Sequence, residues 1–182
     1  GALSIQIVRP QRAEEAAMNA LIPTVLLRGC ESCADLRAIT NRLDELYGAS
    51  VGTMVRRVGD YQATGLHCAF LEDRFAMTGD RILEPVIRFL EELLLTPKLD
   101  DGGFDRDFVS GEKKNLIATI ESELNDKRAY SMSRLLRILC REDTFGVPRL
   151  GETEDVADAA AMAADVATAK AAIALTAKAT AV

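Results

Sequence analysis

The chain has 182 residues, of which 48% are hydrophobic and 27% are charged, a composition typical of a soluble globular domain with its own core. Its formal net charge of −6 argues against nucleic acid, because phosphate binding requires a basic face. No run of residues approaches the roughly 18 apolar positions of a membrane span, and no basic segment followed by an apolar one opens the chain. We therefore expect neither a nucleic acid nor a membrane as a partner.

The four cysteines are too few for a disulfide scaffold, which predicts a reducing, cytoplasmic location. Cys30 and Cys33 have the C-x-x-C spacing of zinc and redox sites. A structural zinc ion would need two more ligands, and Cys68, Cys140 and His67 are the only soft candidates. A redox pair normally opens a helix, where the helix end lowers the thiol pKa. We favour ordinary cysteines and predict no metal ion and no cofactor.

The first quarter of the chain predicts a strand followed by a helix. Residues 3–8 alternate between apolar and polar side chains, as a half-buried strand does. Residues 13–28 have helical spacing, with apolar side chains on one side. Pro23 lies inside this pattern and would cost about 3 kcal/mol unless the helix kinks. Arg28 and Gly29 have the composition of a helix exit.

A second helix and a β-hairpin are predicted next. Residues 36–47 carry leucine and isoleucine at helical spacing, and Gly48 is a stop signal. Residues 50–58 and 62–71 are β-like, and the Gly-Asp pair at 59–60 predicts the turn between them.

Three further helices are predicted in the second half of the chain. Asp80 is the candidate cap of the first, which ends at residues 96–97. A long helix follows, is broken at residues 125–126, and is succeeded by another over residues 127–141. The order β, α, α, β, β, α, α, α predicts an α+β two-layer sandwich, with helices packed on one face of a mostly antiparallel sheet.

The composition changes abruptly at Val156, which divides the chain into residues 1–156 and 157–182. More than half of the second segment is alanine, so a helix is predicted around residues 157–169. Two interpretations remain open. The segment is either the end of the same domain or a region where the residue identities are poorly established.

Three other features have an ordinary interpretation that we favour. The acidic residues 100–105 lack the alternating pattern of a calcium loop and suit a turn before a helix. His67 suits a sheet residue better than a metal ligand. The strand at 62–71 would offer a peptide an edge to pair with if it lay at the margin of the sheet, but an interior position is at least as good an interpretation.

Five strings in a fixed order resemble the pitrilysin–insulinase family of zinc metallopeptidases, which includes mitochondrial processing peptidase. They are residues 26–30, residues 43–50, the hairpin with Asp60-Tyr61, residues 89–97 leading into Phe104-Asp105, and residues 112–116. The resemblance covers roughly residues 3–156. It implies one α+β repeat of a larger protein.

Active members of that family carry an inverted zinc motif, H-x-x-E-H, on the first helix. Aligning the chain on Arg28-Gly29 places Ala20 and Thr24 at the two histidines and Pro23 at the glutamate. None of these residues binds zinc or activates water. The resemblance therefore implies a scaffold whose metal site is erased.

Active members also supply a glutamate ligand from the long helix, seven residues after another glutamate. Matching Glu112 to the earlier position places Thr119 at the ligand, although Glu121 is close by. Solvated or paired surface carboxylates are the ordinary interpretation of Glu112, Glu121 and Glu123, and a remnant of a metal site or a polar contact to a partner is the alternative.

The resemblance implies a non-catalytic homologue that helps an active metallopeptidase subunit, or a second repeat, to form a peptide-sized chamber. The alternative is a structural or assembly subunit that handles no peptide. An active zinc peptidase is nearly excluded, since the sequence holds one histidine.

Overall fold

In the computed structural model, which describes residues 1–100 and 103–163, three long strands form an antiparallel sheet covered on one face by helices. The strands are β1 (Ala2–Pro10), β2 (Ser50–Val58) and β3 (Tyr61–Ala69). Their order is β1-β3-β2, so the predicted sandwich is confirmed. The edge position considered for residues 62–71 is wrong, because β3 is the central strand and hydrogen bonds on both sides.

The two faces of the sheet differ in character. Leu66 and Cys68 on β3 point into the core, whereas Tyr61 and Val58 on the other face are about half exposed. His67 also lies on the open face, where its ring covers Gly52 on the neighbouring strand so closely that a Cβ there would be 2.5 Å from it. His67 is thus the sheet residue that the sequence predicted.

Six α-helices, four single-turn 3-10 helices and a minimal hairpin complete the described part of the chain. The predicted helices are present, with ends shifted by a few residues. The hairpin pairs β4 (Leu99–Asp100) with β5 (Gly103–Phe104). The helices are α1 (Ala13–Leu26), α2 (Leu36–Glu45), α3 (Leu83–Leu95), α4 (Arg106–Ser122), α5 (Lys127–Leu139) and α6 (Thr153–Ala163).

Aspartate side chains begin several of these helices. Asp105 accepts hydrogen bonds from the backbone at the start of α4, and Asp126 does the same for α5, which explains the predicted break at 125–126. The cap predicted at Asp80 is wrong. Asp73 accepts from the backbone N–H groups of the first residues of α3, while Asp80 accepts from the hydroxyl of Tyr47.

Helix α1 is buried on nearly all sides, although the sequence predicted one apolar side. It lies between the sheet, α4 and α6, so small residues such as Ala16, Ala17 and Ala20 also contact protein. Pro23 is buried inside the helix, which continues to Leu26 without a break. The arrangement is that of a central helix, for which no polar face is needed.

Helix α6 crosses the boundary drawn at Val156, whose side chain is fully buried. The helix packs on α1 and α4. The chain reaches it through Gly151, which has φ +74° and approaches so closely that a Cβ would lie 2.7 Å from the backbone nitrogen of Ala17. The predicted helix at 157–169 is therefore described in part, and residues 164–182 lie outside the described residues. In the described ranges, every helix is too short or too polar to cross a bilayer.

Candidate functional site

A cavity of about 250 Å³ lies between α1, α4 and the edge strand β2. It contains three of the four positions that the resemblance matched to the zinc site, namely Ala20, Thr24 and Thr119. The fourth, Pro23, does not line it. The complete lining is Ala20, Thr24, Thr53, Val55, Glu112, Asn115, Leu116, Thr119, Arg149 and Leu150.

Helical spacing explains how these residues meet. Ala20 and Thr24 are four residues apart on α1 and so share one face. Glu112 and Thr119 are seven residues apart, two turns of α4, and also share a face. Glu121 does not line the cavity. Of Thr119 and Glu121, Thr119 is the one that lines the cavity together with Ala20 and Thr24.

The side chains at these positions do not fit a zinc ion. Ala20 has no ligand atom, and the hydroxyls of both threonines donate to carbonyls of their own helices. Thr24 Oγ1 lies 2.7 Å from the oxygen of Leu21, and Thr119 Oγ1 lies 2.8 Å from that of Asn115. Zinc in proteins takes imidazole, thiolate or carboxylate ligands. Across residues 1–100 and 103–163, no group of three or more such side chains is placed to hold a metal ion.

Glu112 is the one carboxylate in the cavity, and it is already neutralised. Its side chain is 10% exposed and pairs with the guanidinium of Arg28, just beyond the end of α1. Asn115 Nδ2 donates to the same carboxylate oxygen at 3.2 Å. The pair joins α1 to α4. Glu112 is thus a paired carboxylate, but a buried one rather than the surface carboxylate that the ordinary interpretation described. Glu121 and Glu123 make no ion pair with a described residue.

Arg149 is the other charged group in the cavity, and no motif or spacing in the sequence pointed to it. Its side chain makes no hydrogen bond or ion pair with any described residue. Its backbone oxygen is held at 2.7 Å by Gln62 Nε2. Gln62 is buried in β3 and also accepts from Asn19 on α1. This network fixes the backbone at Arg149 without using its guanidinium.

A second cavity of about 360 Å³ adjoins the first and shares Arg149 and Leu150 with it. It lies between α5 and residues 145–152. Its walls are mixed, with Met132 and Leu136 among the apolar residues and with the carboxylates of Glu123 and Glu152. Two other arginines line it, Arg57 and Arg137, and both are engaged by described residues.

The cysteine pair at Cys30 and Cys33 lies elsewhere, in the core. Their backbones exchange two hydrogen bonds, and both thiols are free and buried. Burial raises the pKa of the Cys30 thiol and of Cys68. A raised pKa disfavours the thiolate that both zinc binding and redox exchange require. The contacts therefore favour the ordinary interpretation.

Comparison with known proteins gives a consistent result. The chain is 30% identical over 156 residues to "Probable inactive metalloprotease YmfF" of Bacillus subtilis (strain 168), an alignment that covers 86% of this chain and 37% of that protein. The chain is therefore similar to a protein described as a probable inactive metalloprotease. The resemblance inferred from the sequence is thereby supported. No protein-family model matches the chain.

Solved structures share the fold. A conserved protein from Enterococcus faecalis V583 superimposes with a TM-score of 0.83 at 21% identity, covering 96% of this chain and 40% of that chain. The peptidase M16 inactive domain from Pseudomonas fluorescens gives a TM-score of 0.61 at 16% identity, covering 94% and 37%. The chain therefore spans about two-fifths of the length of the relatives that it matches.

Proposed function

We propose that the chain is a non-catalytic metallopeptidase-type repeat whose cavity stands where active relatives hold zinc. One observation carries the proposal. The positions that the alignment matches to metal ligands line a single cavity, and they are occupied by Ala20, Thr24 and Thr119. A backbone that still converges on one point, with side chains that cannot bind the ion, is what loss of the metal site would leave.

We further propose that this cavity faces a bound peptide. Strand β2 is an edge of the sheet, and an edge strand presents backbone groups with which an extended peptide can pair. Thr53 and Val55 on this strand also line the cavity. A peptide added along β2 would therefore pass over it. In the whole protein, an active homologous subunit or a second repeat would complete the peptide chamber.

A second candidate function is assembly without peptide binding, and helix α5 favours it. Ile138 and Leu139 are 68% and 71% exposed, and Leu135 is about half exposed. Such a stripe on one helix suits contact with another chain. Stable assembly with other proteins, together with no peptide binding, would support this candidate over the first.

Zinc content measured by elemental mass spectrometry tests the erased site. After dialysis against zinc and then buffer, the purified chain should hold less than about 0.1 metal ion, because too few ligands converge. A variant with Ala20→His, Thr24→His and Thr119→Glu should hold about one. Near-stoichiometric zinc in the natural chain would refute the proposal, and a metal-free variant would show that the three positions do not form the former site.

Hydrogen exchange tests the peptide. A short neutral peptide of alternating threonine and valine, acetylated and amidated at its ends, should slow exchange of backbone amides in Ser50–Val58. Amides in β1, the other edge, serve as the internal control. If the peptide does not slow amide exchange in β2, the proposal of peptide binding is wrong and the assembly role remains.

A further inference from the structure

We infer that the cavity binds a carboxylate of the peptide, and that Arg149 is the residue that binds it. This inference rests on the proposed pairing of a peptide along β2. It adds a charge preference that nothing in the likeness to other proteins supplies. The argument has three parts, which concern the charge of the cavity, the freedom of the guanidinium and the source of the carboxylate.

The cavity has one charge without a counterion. Glu112 is paired with Arg28 and also accepts from Asn115. Arg149 has no such partner among the described residues. Every other residue in the lining is neutral. Arg149 is exposed to solvent where it lines the concave site. A guanidinium without a counterion at such a site favours an anion.

The guanidinium is available, although its backbone is fixed. Gln62 holds the carbonyl of Arg149, and the following residue, Leu150, is buried. The two other arginines of the adjoining cavity are occupied. Arg57 stacks on Phe145 at 3.9 Å and donates to backbone carbonyls, and Arg137 pairs with Glu152. Binding to Arg149 would therefore break no existing contact, and its forked donors match a carboxylate in two parallel hydrogen bonds.

The carboxylate has two possible sources in a peptide, an acidic side chain or the free C-terminus. A side chain from a peptide on β2 would enter the cavity beside Thr53 and Val55. A C-terminal carboxylate would end the peptide at Arg149, next to the second cavity under α5. Both sources use the same chemistry, so the experiment has to separate them.

Fluorescence anisotropy with labelled peptides tests the inference. Three peptides of alternating threonine and valine are compared: one neutral and amidated with a central glutamine, one amidated with a central glutamate, and one with the central glutamine and a free C-terminus. We expect the glutamate peptide, the free-acid peptide or both to bind about five- to tenfold more tightly than the neutral one. Whichever peptide gains identifies the source.

Two variants assign the gain to its residue. Arg149→Gln should abolish the preference, so that the three peptides bind with equal affinity. It should also leave thermal unfolding unchanged, because the side chain makes no contact that folding needs. Arg134→Gln is the matched control, since it removes the same charge from an exposed position on α5 that lines neither cavity. Arg134→Gln should retain the preference.

The outcomes separate this inference from the proposed function. If the neutral peptide binds and protects β2 but neither carboxylate adds affinity, the inference is wrong and peptide binding stands. The inference is also wrong if both arginine variants lose the preference equally, because the effect would then be net charge. If no peptide binds, both proposals fail together.

Discussion

Replacing Arg28 with alanine should destabilise the fold, because it leaves the buried carboxylate of Glu112 without its cationic partner. Glu112 would keep only the amide of Asn115 as a partner, in a cavity wall where water reaches it poorly. Removing one partner of a fully buried pair costs about 3–5 kcal/mol, whereas exposed pairs contribute about 0–1 kcal/mol. With Arg28 27% exposed and Glu112 10% exposed, the pair lies between these limits. We expect a loss of about 2 kcal/mol.

Urea unfolding followed by circular dichroism measures this loss from the shift in midpoint. Arg88→Ala is the control, because its pair with Glu84 within α3 has side chains that are 75% and 57% exposed, and its removal should change stability by less than about 0.5 kcal/mol. Adding Glu112→Gln to Arg28→Ala should recover about 1 kcal/mol, since the buried charge disappears. Equal small losses for Arg28→Ala and Arg88→Ala, with no recovery, would refute the reasoning.

Two further predictions concern a close backbone approach at Gly151 and the helix cap at Asp73. Gly151→Ala should destabilise by about 2–4 kcal/mol in urea, because the new methyl group meets Ala17 and φ is +74°; Gly59→Ala, with φ +60° and open space, should cost about 1 kcal/mol. A similar loss of stability for both variants would argue against the close approach of Gly151, just before α6, to Ala17 on α1. Hydrogen bonds from the backbone at the start of α3 lower the pKa of Asp73. The cap therefore stabilises the fold at any pH above the usual pKa of an aspartate, and this stabilisation is lost as the pH falls through the lowered pKa. Asp73→Ala should therefore destabilise clearly at neutral pH and progressively less in acid, and a loss independent of pH would contradict the charged cap.

Element types followed from periodicity, but the surroundings of α1 did not. Alternation and helical spacing are local properties, so the strands and helices could be predicted within a few residues. The burial of α1 on all sides depends on α6, whose alanine-rich sequence indicates a helix without indicating which face it packs. The prediction of the residue that caps α3 was wrong for a related reason. Asp73 and Asp80 are both acceptable caps by composition, and only the path of the chain selects Asp73.

The helix positions of the candidate site could be named from the sequence, whereas Arg149 could not. Thr24 and Thr119 were matched to the zinc site through the resemblance to the metallopeptidase family, and helical spacing then predicts which neighbours share a face with each of them. Arg149 lies in a loop, and its position at the cavity depends on a hydrogen bond from Gln62, which is 87 residues earlier in the chain. A contact of that sequence separation has no local pattern, so single-sequence reasoning could not identify it.

The cavity itself argues for a ligand rather than for a scaffold alone. Larger apolar side chains could fill this cavity, and substitutions of that kind commonly stabilise a fold. Here the converging positions carry alanine and threonine, which leave space beside an edge strand, and that space is also lined by Arg149, whose side chain has no partner among the described residues. A subunit needed only for its outer surfaces gains nothing from these features. A subunit that receives an extended peptide uses all three, the edge for the backbone, the space for a side chain and Arg149 for its charge.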